Sequence, residues 1–331
     1  MAEAGIAADI QPQGAPAPLV RIIGWAVLGA LAAFLINNIL NIGFGVPVPS
    51  EAFSGGGAAA FVPIAVYVAV IGLGTAYVLR SGNTPLRADA LRIHNFNLYI
   101  IRACFWVVLL VGIVDSAIAV MRVEKVLDQF LSEDTVRNLG LARYVGMYIH
   151  MPLIVAGMVI ALFTRTLGFT WLALMIVFAE LLIVFSRFIF SYEQALMGDL
   201  VRYWYAALFL FASAYTLFED GHVRVDVLYA GFSNRTRGYV NAIGSIFLGV
   251  STCWVILVIG LSGRQSIINA PVVNFEITQT GGVGMFVKYQ MAAFLAIFAI
   301  TMMIQFIAYF FEAVADYRDE PGHRDVTPTG H

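Results

Sequence analysis

Three ionisable residues, Arg102, Asp115 and Glu180, lie inside apolar stretches that are long enough to cross a bilayer. A charge at the membrane centre costs about 2.5–3.5 kcal/mol on insertion scales, so such residues are candidates for an ion or substrate path. Three scattered charges do not form a proton relay. The alternative is that these residues lie near the membrane surface or form pairs between helices. Glu180 and Arg187 are two helical turns apart, so they share a helix face without touching. We therefore expect each charge to have a partner within this chain or in another subunit.

Histidine and cysteine residues are not spaced for cofactor chemistry. A haem held by two histidines needs both on neighbouring spans, and His150 alone lies inside a span, which favours a packing role for it. Cys104 and Cys253 lie in apolar runs, where a thiol acts as a small hydrophobe. The sequence has no HExxH metal motif and no phosphate-binding loop. These patterns predict no catalytic residue, no metal site and no cofactor, so we expect a protein that is not an enzyme.

The composition indicates where most of the chain lies. Of its 331 residues, 60% are hydrophobic and only 12% are charged, and the mean hydropathy is +0.83. A soluble domain carries about 25% charged residues because its surface must stay hydrated. Soluble enzymes, disordered proteins and nucleic-acid binders are therefore excluded, and the formal charge of −2 with scattered basic residues agrees with the last exclusion. The composition predicts an all-α polytopic membrane helical bundle.

About eight apolar windows approach the ~20 residues that span a bilayer as a helix. The shortest of them, Tyr203–Phe218, would need a locally thin bilayer. The predicted spans are Ile22–Phe44, Ala58–Leu79, Asn95–Met121, Tyr144–Phe163, Phe169–Phe190, Tyr203–Phe218, Tyr239–Leu261 and Val287–Phe311.

Two connectors have the spacing of amphipathic helices. In Arg122–Leu131 and in Tyr192–Val201, apolar residues recur at three- and four-residue intervals, with charged and polar residues on the other face. Both are too polar to span, so we expect two interfacial helices lying flat on the membrane. Helical caps that pack on the protein itself are the alternative.

Basic residues predict the orientation. With the N-terminus inside, the cytoplasmic segments carry slightly more arginine and lysine than the outer ones, and the outer loop Gly45–Gly57 carries none. We therefore expect both termini on the cytoplasmic side. Residues 1–18 and 318–331 are polar or proline-rich and are predicted to be flexible tails.

A mixed-charge segment, His222-Val-Arg224-Val-Asp226, follows the sixth predicted span. The valines alternate with the charged residues, so one side of the segment is apolar and the other is able to engage charges or lipid headgroups. We expect His222, Arg224 and Asp226, together with Arg187 and Asp199, to be subunit-interface or headgroup contacts. Local salt bridges worth about 0–1 kcal/mol are the alternative.

At these residues the chain resembles the small membrane subunit of TRAP (tripartite ATP-independent periplasmic) transporters, the DctQ-like family. The longer match, Ala214 to Tyr229, is most similar to the mannitol/chloroaromatic-compound subgroup. The family's Arg-Tyr-Val/Leu-Phe is matched by Arg187-Phe-Ile-Phe, its surface-helix motif only in part by Leu196 and Asp199-Leu200, and its last span by Gln305-Phe-Ile-Ala. The resemblance predicts a DctQ-like small permease domain over residues 166–317. Residues 19–165 form a four-span N-terminal extension that the resemblance does not include.

The resemblance implies a function in transport. In such systems a large permease (M) subunit is similar to an elevator transporter and holds the ion and substrate sites, while a periplasmic binding protein delivers an organic anion or related solute. The small subunit looks like a scaffold in the bacterial inner membrane, contacting lipids and the M subunit, with no nucleic-acid partner. The extension would enlarge this scaffold. Two alternatives are an autonomous carrier or channel lined by Arg102, Asp115 and Glu180, and a structural subunit of another membrane complex.

Overall fold

A computed structural model describes residues 14–55, 57–219, 229–278 and 281–323. Within these ranges the chain is helical and contains no strand, and eight helices are long and apolar enough to cross a membrane. The all-α fold with eight candidate spans is thus confirmed. The helices are α1 Pro18–Phe44, α2 Ala58–Arg80, α3 Leu86–Val123, α4 Ala142–Phe163, α5 Phe169–Phe190, α6 Ala195–Phe218, α7 Asn234–Gly260 and α8 Lys288–Tyr317.

Helix α6 corrects the prediction for the second connector. Residues 195–201 of the expected surface helix and the expected short span after it form a single helix of 24 residues, about 36 Å long. The chain turns earlier, at Ser191, whose φ is +50°. No proline interrupts Ala195–Phe218, and a lone Gly198 costs too little to end a helix. The amphipathic pattern therefore marks the first two turns of a spanning helix.

The first connector also differs from one flat helix over Arg122–Leu131. Helix α3 ends at Val123, and Lys125 takes a φ of +54°, which breaks the helix. Two short helices, Leu127–Phe130 and Glu133–Leu139, follow the break. Leu127 is buried on the protein, whereas Phe130 is 79% exposed. This connector therefore combines a cap on the bundle with an outward apolar residue.

Two compact units divide the chain, and each one is built from separate stretches. One unit contains residues up to Phe96, Thr216–Val255 and the part from Met302 onward; the other contains Asn97–Tyr215 and Ile256–Thr301. Each unit thus combines segments from before and after position 165.

The first unit is organised by a buried ion pair. The Arg21 Nε and Asp89 Oδ2 atoms are 2.8 Å apart, and both side chains are fully buried. The indole N–H of Trp25 donates to the same carboxylate oxygen at 2.8 Å, and Arg21 also donates to Ser81. Every charge here has a partner, which is what burial of charged groups requires.

The second unit packs through close helix contacts and aromatic rings. The indole N–H of Trp204 in α6 donates to the carbonyl of Val108 in α3 at 3.1 Å. Gly112 leaves room for this indole, since a Cβ there would lie 2.2 Å from the Trp204 Nε1 atom. Gly157 of α4 similarly leaves room for α3, since a Cβ there would lie 2.8 Å from the backbone nitrogen of Val107. These contacts hold α3, α4 and α6 together around the polar network described next.

Candidate functional site

A chain of buried polar side chains crosses the second unit. The Asp115 carboxylate on α3 lies 3.2 Å from His150 Nε2 on α4. His150 Nδ1 lies 2.9 Å from the hydroxyl of Tyr289 at the start of α8. The other Asp115 oxygen accepts the backbone N–H of Phe286 at 2.7 Å. Asp115 and His150 are fully buried, so both depend on these partners for their hydrogen bonds.

Two further residues continue the chain. The Gln290 amide donates from Nε2 to the Tyr289 hydroxyl at 3.0 Å, and the Tyr203 hydroxyl of α6 donates to the Gln290 carbonyl oxygen. We call the set Tyr203, Gln290, Tyr289, His150 and Asp115 the polar network.

The hydrogen bonds of the polar network run in one direction. A carboxylate only accepts, so the uncharged imidazole tautomer that fits Asp115 carries its proton on Nε2. In that tautomer Nδ1 accepts from the Tyr289 hydroxyl. The Tyr289 oxygen then accepts from Gln290, whose own oxygen accepts from Tyr203. Each of these donors has one acceptor, and the series of hydrogen bonds ends at the Asp115 side chain. Such a satisfied network fixes the positions of the helices that carry it.

Local backbone features place these side chains. His150 ends a π-helical turn, Gly146–His150, inside α4, and π turns often occur at functional positions. A Cβ at Gly146 would lie 2.3 Å from the ring of Phe275, so glycine is required where this ring approaches. The Phe275 ring in turn lies 5.1 Å from the Tyr289 ring, in an edge-on arrangement.

The segment that leads into α8 is held by charged side chains on two other helices. Arg122 of α3 donates to the carbonyls of Gly282 and Gly284, at 2.8 and 2.6 Å, and its guanidinium lies 4.1 Å from the centre of the Phe286 ring. Asp199 of α6 accepts the backbone N–H of Met285 at 3.1 Å. Side chains of α3 and α6 thus fix the described part of this segment through its backbone.

The three charges expected inside spans lie in three different environments. Asp115 belongs to the polar network. Arg102 donates to the Ala161 carbonyl at 3.2 Å, in the last turn of α4, where a cation stabilises the negative end of the helix dipole. Glu180 is exposed on α5 and has no hydrogen-bond or ion-pair partner within the described ranges. The fold therefore does not bring the three together into one path.

The expected contact residues are distributed as follows. Arg187 is 63% exposed, and its Nε atom lies 3.6 Å from a Glu193 carboxylate oxygen. Asp199 is buried and bonded within the chain, as described above. His222, Arg224 and Asp226 lie outside the described residues. Beside Glu193, the hydroxyl of Tyr192 donates to Glu124, and this hydrogen bond raises the pKa of Tyr192.

Four residues that take part in these buried hydrogen bonds and ion pairs could not be identified from the sequence. Tyr203, Tyr289 and Gln290 lie at span edges, where aromatic and polar residues are ordinary. Arg21 lies just before the first predicted span, where a basic residue is also ordinary, yet it is buried with Asp89. His150 is packed and hydrogen-bonded as expected, but the sequence did not identify its partners.

These features define a polytopic α-helical membrane protein whose second unit is fixed by buried polar contacts. Residues 173–316 match the family model described as "Tripartite ATP-independent periplasmic transporters, DctQ component". The match begins in α5 and ends in the last turn of α8, so it includes four candidate spans and supports the family resemblance for this part of the chain. No curated protein and no solved structure gives a significant match.

Proposed function

We propose that the protein is the small membrane subunit of a TRAP-type secondary transporter, which scaffolds a large M permease for ion-gradient-driven uptake of organic anions or related small solutes. The match of residues 173–316 to the DctQ component carries this proposal. The resemblance over Ala214–Tyr229 further suggests the mannitol/chloroaromatic-compound subgroup. A periplasmic binding protein would deliver the solute, and the complex would lie in the bacterial inner membrane with both termini of this chain inside.

The buried charges support a scaffold role because they hold helices in place. Asp115 and Asp199 accept backbone N–H groups of Phe286 and Met285, and Arg122 donates to nearby carbonyls. Breaking such buried, charge-assisted contacts is costly, so this part of the protein resists deformation. An elevator-type permease needs a partner of this kind, since its mobile domain moves against a fixed part of the assembly.

We further propose that residues 19–165 belong to this scaffold and do not form an independent appendage. Asp115 and His150 precede position 165, yet they bond Phe286 and Tyr289 within the segment matched by the family. The indole of Trp204, which is only 2% exposed, also bonds α3. Removing residues 1–165 would leave Phe286, Tyr289 and Trp204 without these hydrogen-bond partners and would expose the apolar surface around them.

Deletion of residues 1–165 tests this part of the proposal. We expect the shortened chain to lose its sharp thermal transition in detergent, and its complex with the M permease to become less stable. The full-length chain, purified in parallel with the same permease, is the control. An equally stable complex and equal uptake would show that the extension does not contribute to the scaffold.

Reconstitution tests the function itself. The tagged full-length chain is extracted from native membranes in mild detergent, and co-purified proteins are identified by mass spectrometry; we expect a permease of roughly twelve spans. In liposomes, the chain alone should move no solute, whereas the chain with its permease and binding protein should accumulate an organic anion when a sodium gradient is applied. Solute movement by the chain alone would refute the scaffold role and would indicate an autonomous carrier.

A further inference from the structure

Glu180 lies at the centre of helix α5. This helix has 22 residues, so it is about 33 Å long, close to the ~30 Å thickness of a hydrocarbon core. Glu180 is about 16 Å from the first residue of the helix and about 15 Å from the last. If α5 crosses the membrane end to end, its only acidic residue is therefore near the bilayer midplane.

The described residues leave the Glu180 side chain exposed. Helix α5 packs on the bundle through one narrow stripe, Leu172, Ile176 and Ala179. Glu180 lies beside this stripe and is exposed. Throughout the part of the chain that the structure describes, nothing pairs with Glu180. Arg187, the nearest basic residue along this side of the helix, is already beside Glu193.

Helix α2 is a useful comparison because it is also little buried but carries no charge along its length before Arg80. Helices α2 and α5 bury smaller shares of their residues than the other six candidate spans. The α2 helix carries no charge before Arg80 at its end, and Leu73 near its centre is 70% exposed. Lipid contact suits such a surface. The same contact would place the Glu180 carboxylate in hydrocarbon, where no group is available to bond it.

We propose that the side of α5 around Glu180 docks on a transmembrane helix of the large M permease that presents a basic or hydrogen-bond-donating side chain at the bilayer midplane. This inference rests on the proposed function. Val177 and Val184, each about one turn from Glu180, are 56% and 46% exposed and provide the apolar surface on either side of the polar contact. A pairing of this kind satisfies the carboxylate, and the apolar flanks exclude lipid from it.

Charge complementarity excludes a second copy of this chain as the occupant. In a dimer with its two-fold axis along the membrane normal, the same residue of both copies lies at the same depth. Two Glu180 carboxylates would then face each other without a cation between them, and like charges repel strongly where water is absent.

Substitution at Glu180 in the intact complex tests the proposal. The tagged chain is co-expressed with its permease, and the amount of permease recovered per tagged chain is measured in nanodiscs. Glu180→Leu should lower this recovery by at least about tenfold, because it removes one partner of a buried charged pair. Glu180→Gln keeps an oxygen acceptor and should lose less. Leu73→Ala, at an exposed position of the uncharged part of α2, should leave recovery unchanged.

Glu180→Leu places an apolar side chain at an exposed, apolar position, so the variant should fold and insert at least as well as the parent chain; monodisperse elution of the tagged chain verifies this. A photo-crosslinking amino acid at Val177 should capture the permease. Full recovery with Glu180→Leu, or capture of a second copy of this chain, would overturn the proposal. A parent chain that recovers no permease at all would instead contradict the proposed function.

Discussion

Replacement of Asp115 tests the polar network most directly. Its carboxylate accepts hydrogen bonds from the Phe286 backbone N–H, at 2.7 Å, and from His150 Nε2, at 3.2 Å. Asp115→Ala leaves both donors buried without an acceptor, at about 1–3 kcal/mol each. Removal of a buried charge offsets part of this cost. We expect the free energy of unfolding to fall by about 2–4 kcal/mol.

Asp115→Asn tests the direction of the hydrogen bonds in the polar network. The amide oxygen still accepts from Phe286, so the amide nitrogen faces His150 Nε2, and the imidazole must move its proton to Nδ1. That proton then points at the Tyr289 oxygen, so the Tyr289 hydroxyl hydrogen loses Nδ1 as its acceptor. We expect a loss of about 1–3 kcal/mol. In a Tyr289→Phe background there is no Tyr289 hydroxyl bond to lose, so Asn should cost less there, by at least about 0.5 kcal/mol.

The four chains of this double-mutant cycle are compared by reversible SDS titration in bicelles, with tryptophan fluorescence as the signal. Ser116→Ala is the matched control, because the Ser116 hydroxyl bonds only the Ile113 carbonyl of its own helix, and its effect should stay within about 0.5 kcal/mol. Additive effects of the Asp115 and Tyr289 substitutions, or an unchanged Asp115→Ala protein, would refute the directed network.

Two further stability predictions concern the first unit. Among the described residues, Arg21→Leu leaves the buried Asp89 carboxylate with the partly exposed Arg92 as its one cation, and it should cost about 3 kcal/mol in the same titration. Arg137→Leu, at an exposed pair, should change stability by less than about 0.5 kcal/mol. A Cβ at Gly238 would lie 2.5 Å from a backbone nitrogen of α8, so Gly238→Ala should cost about 1–3 kcal/mol. The control is Gly72→Ala, which has open space around it and should be neutral or slightly stabilising. Equal effects in either pair would contradict the packing described here.

The eight spans were predictable because each depends on a local property, the length of an apolar run. The prediction was wrong where a local pattern has two structural outcomes. The amphipathic spacing of Tyr192–Val201 fits a flat surface helix and also fits the first turns of a spanning helix that are buried on one side. Contacts of Leu196 and Asp199 with the rest of the protein decide between them, and both are buried.

The partners of the charged residues were not predictable, since they lie far apart along the chain. Asp115 and Phe286 are separated by 171 positions, and His150 and Tyr289 by 139. No periodic pattern links residues at such separations. The sequence therefore marked Asp115 and Arg102 as unusual without showing that the first belongs to a network and that the second stabilises a helix end.

By itself, the amino-acid sequence determined that this polypeptide is a bundle of membrane-spanning helices, because a chain with so few charges has too little polar surface to remain in water. The tertiary structure alone decided which charges are satisfied inside the protein. Asp115, Arg21 and Asp199 meet donors or acceptors brought from distant parts of the chain, whereas Glu180 meets none among the described residues. That difference depends on the helix face to which each residue is turned, a property that only packing in three dimensions fixes.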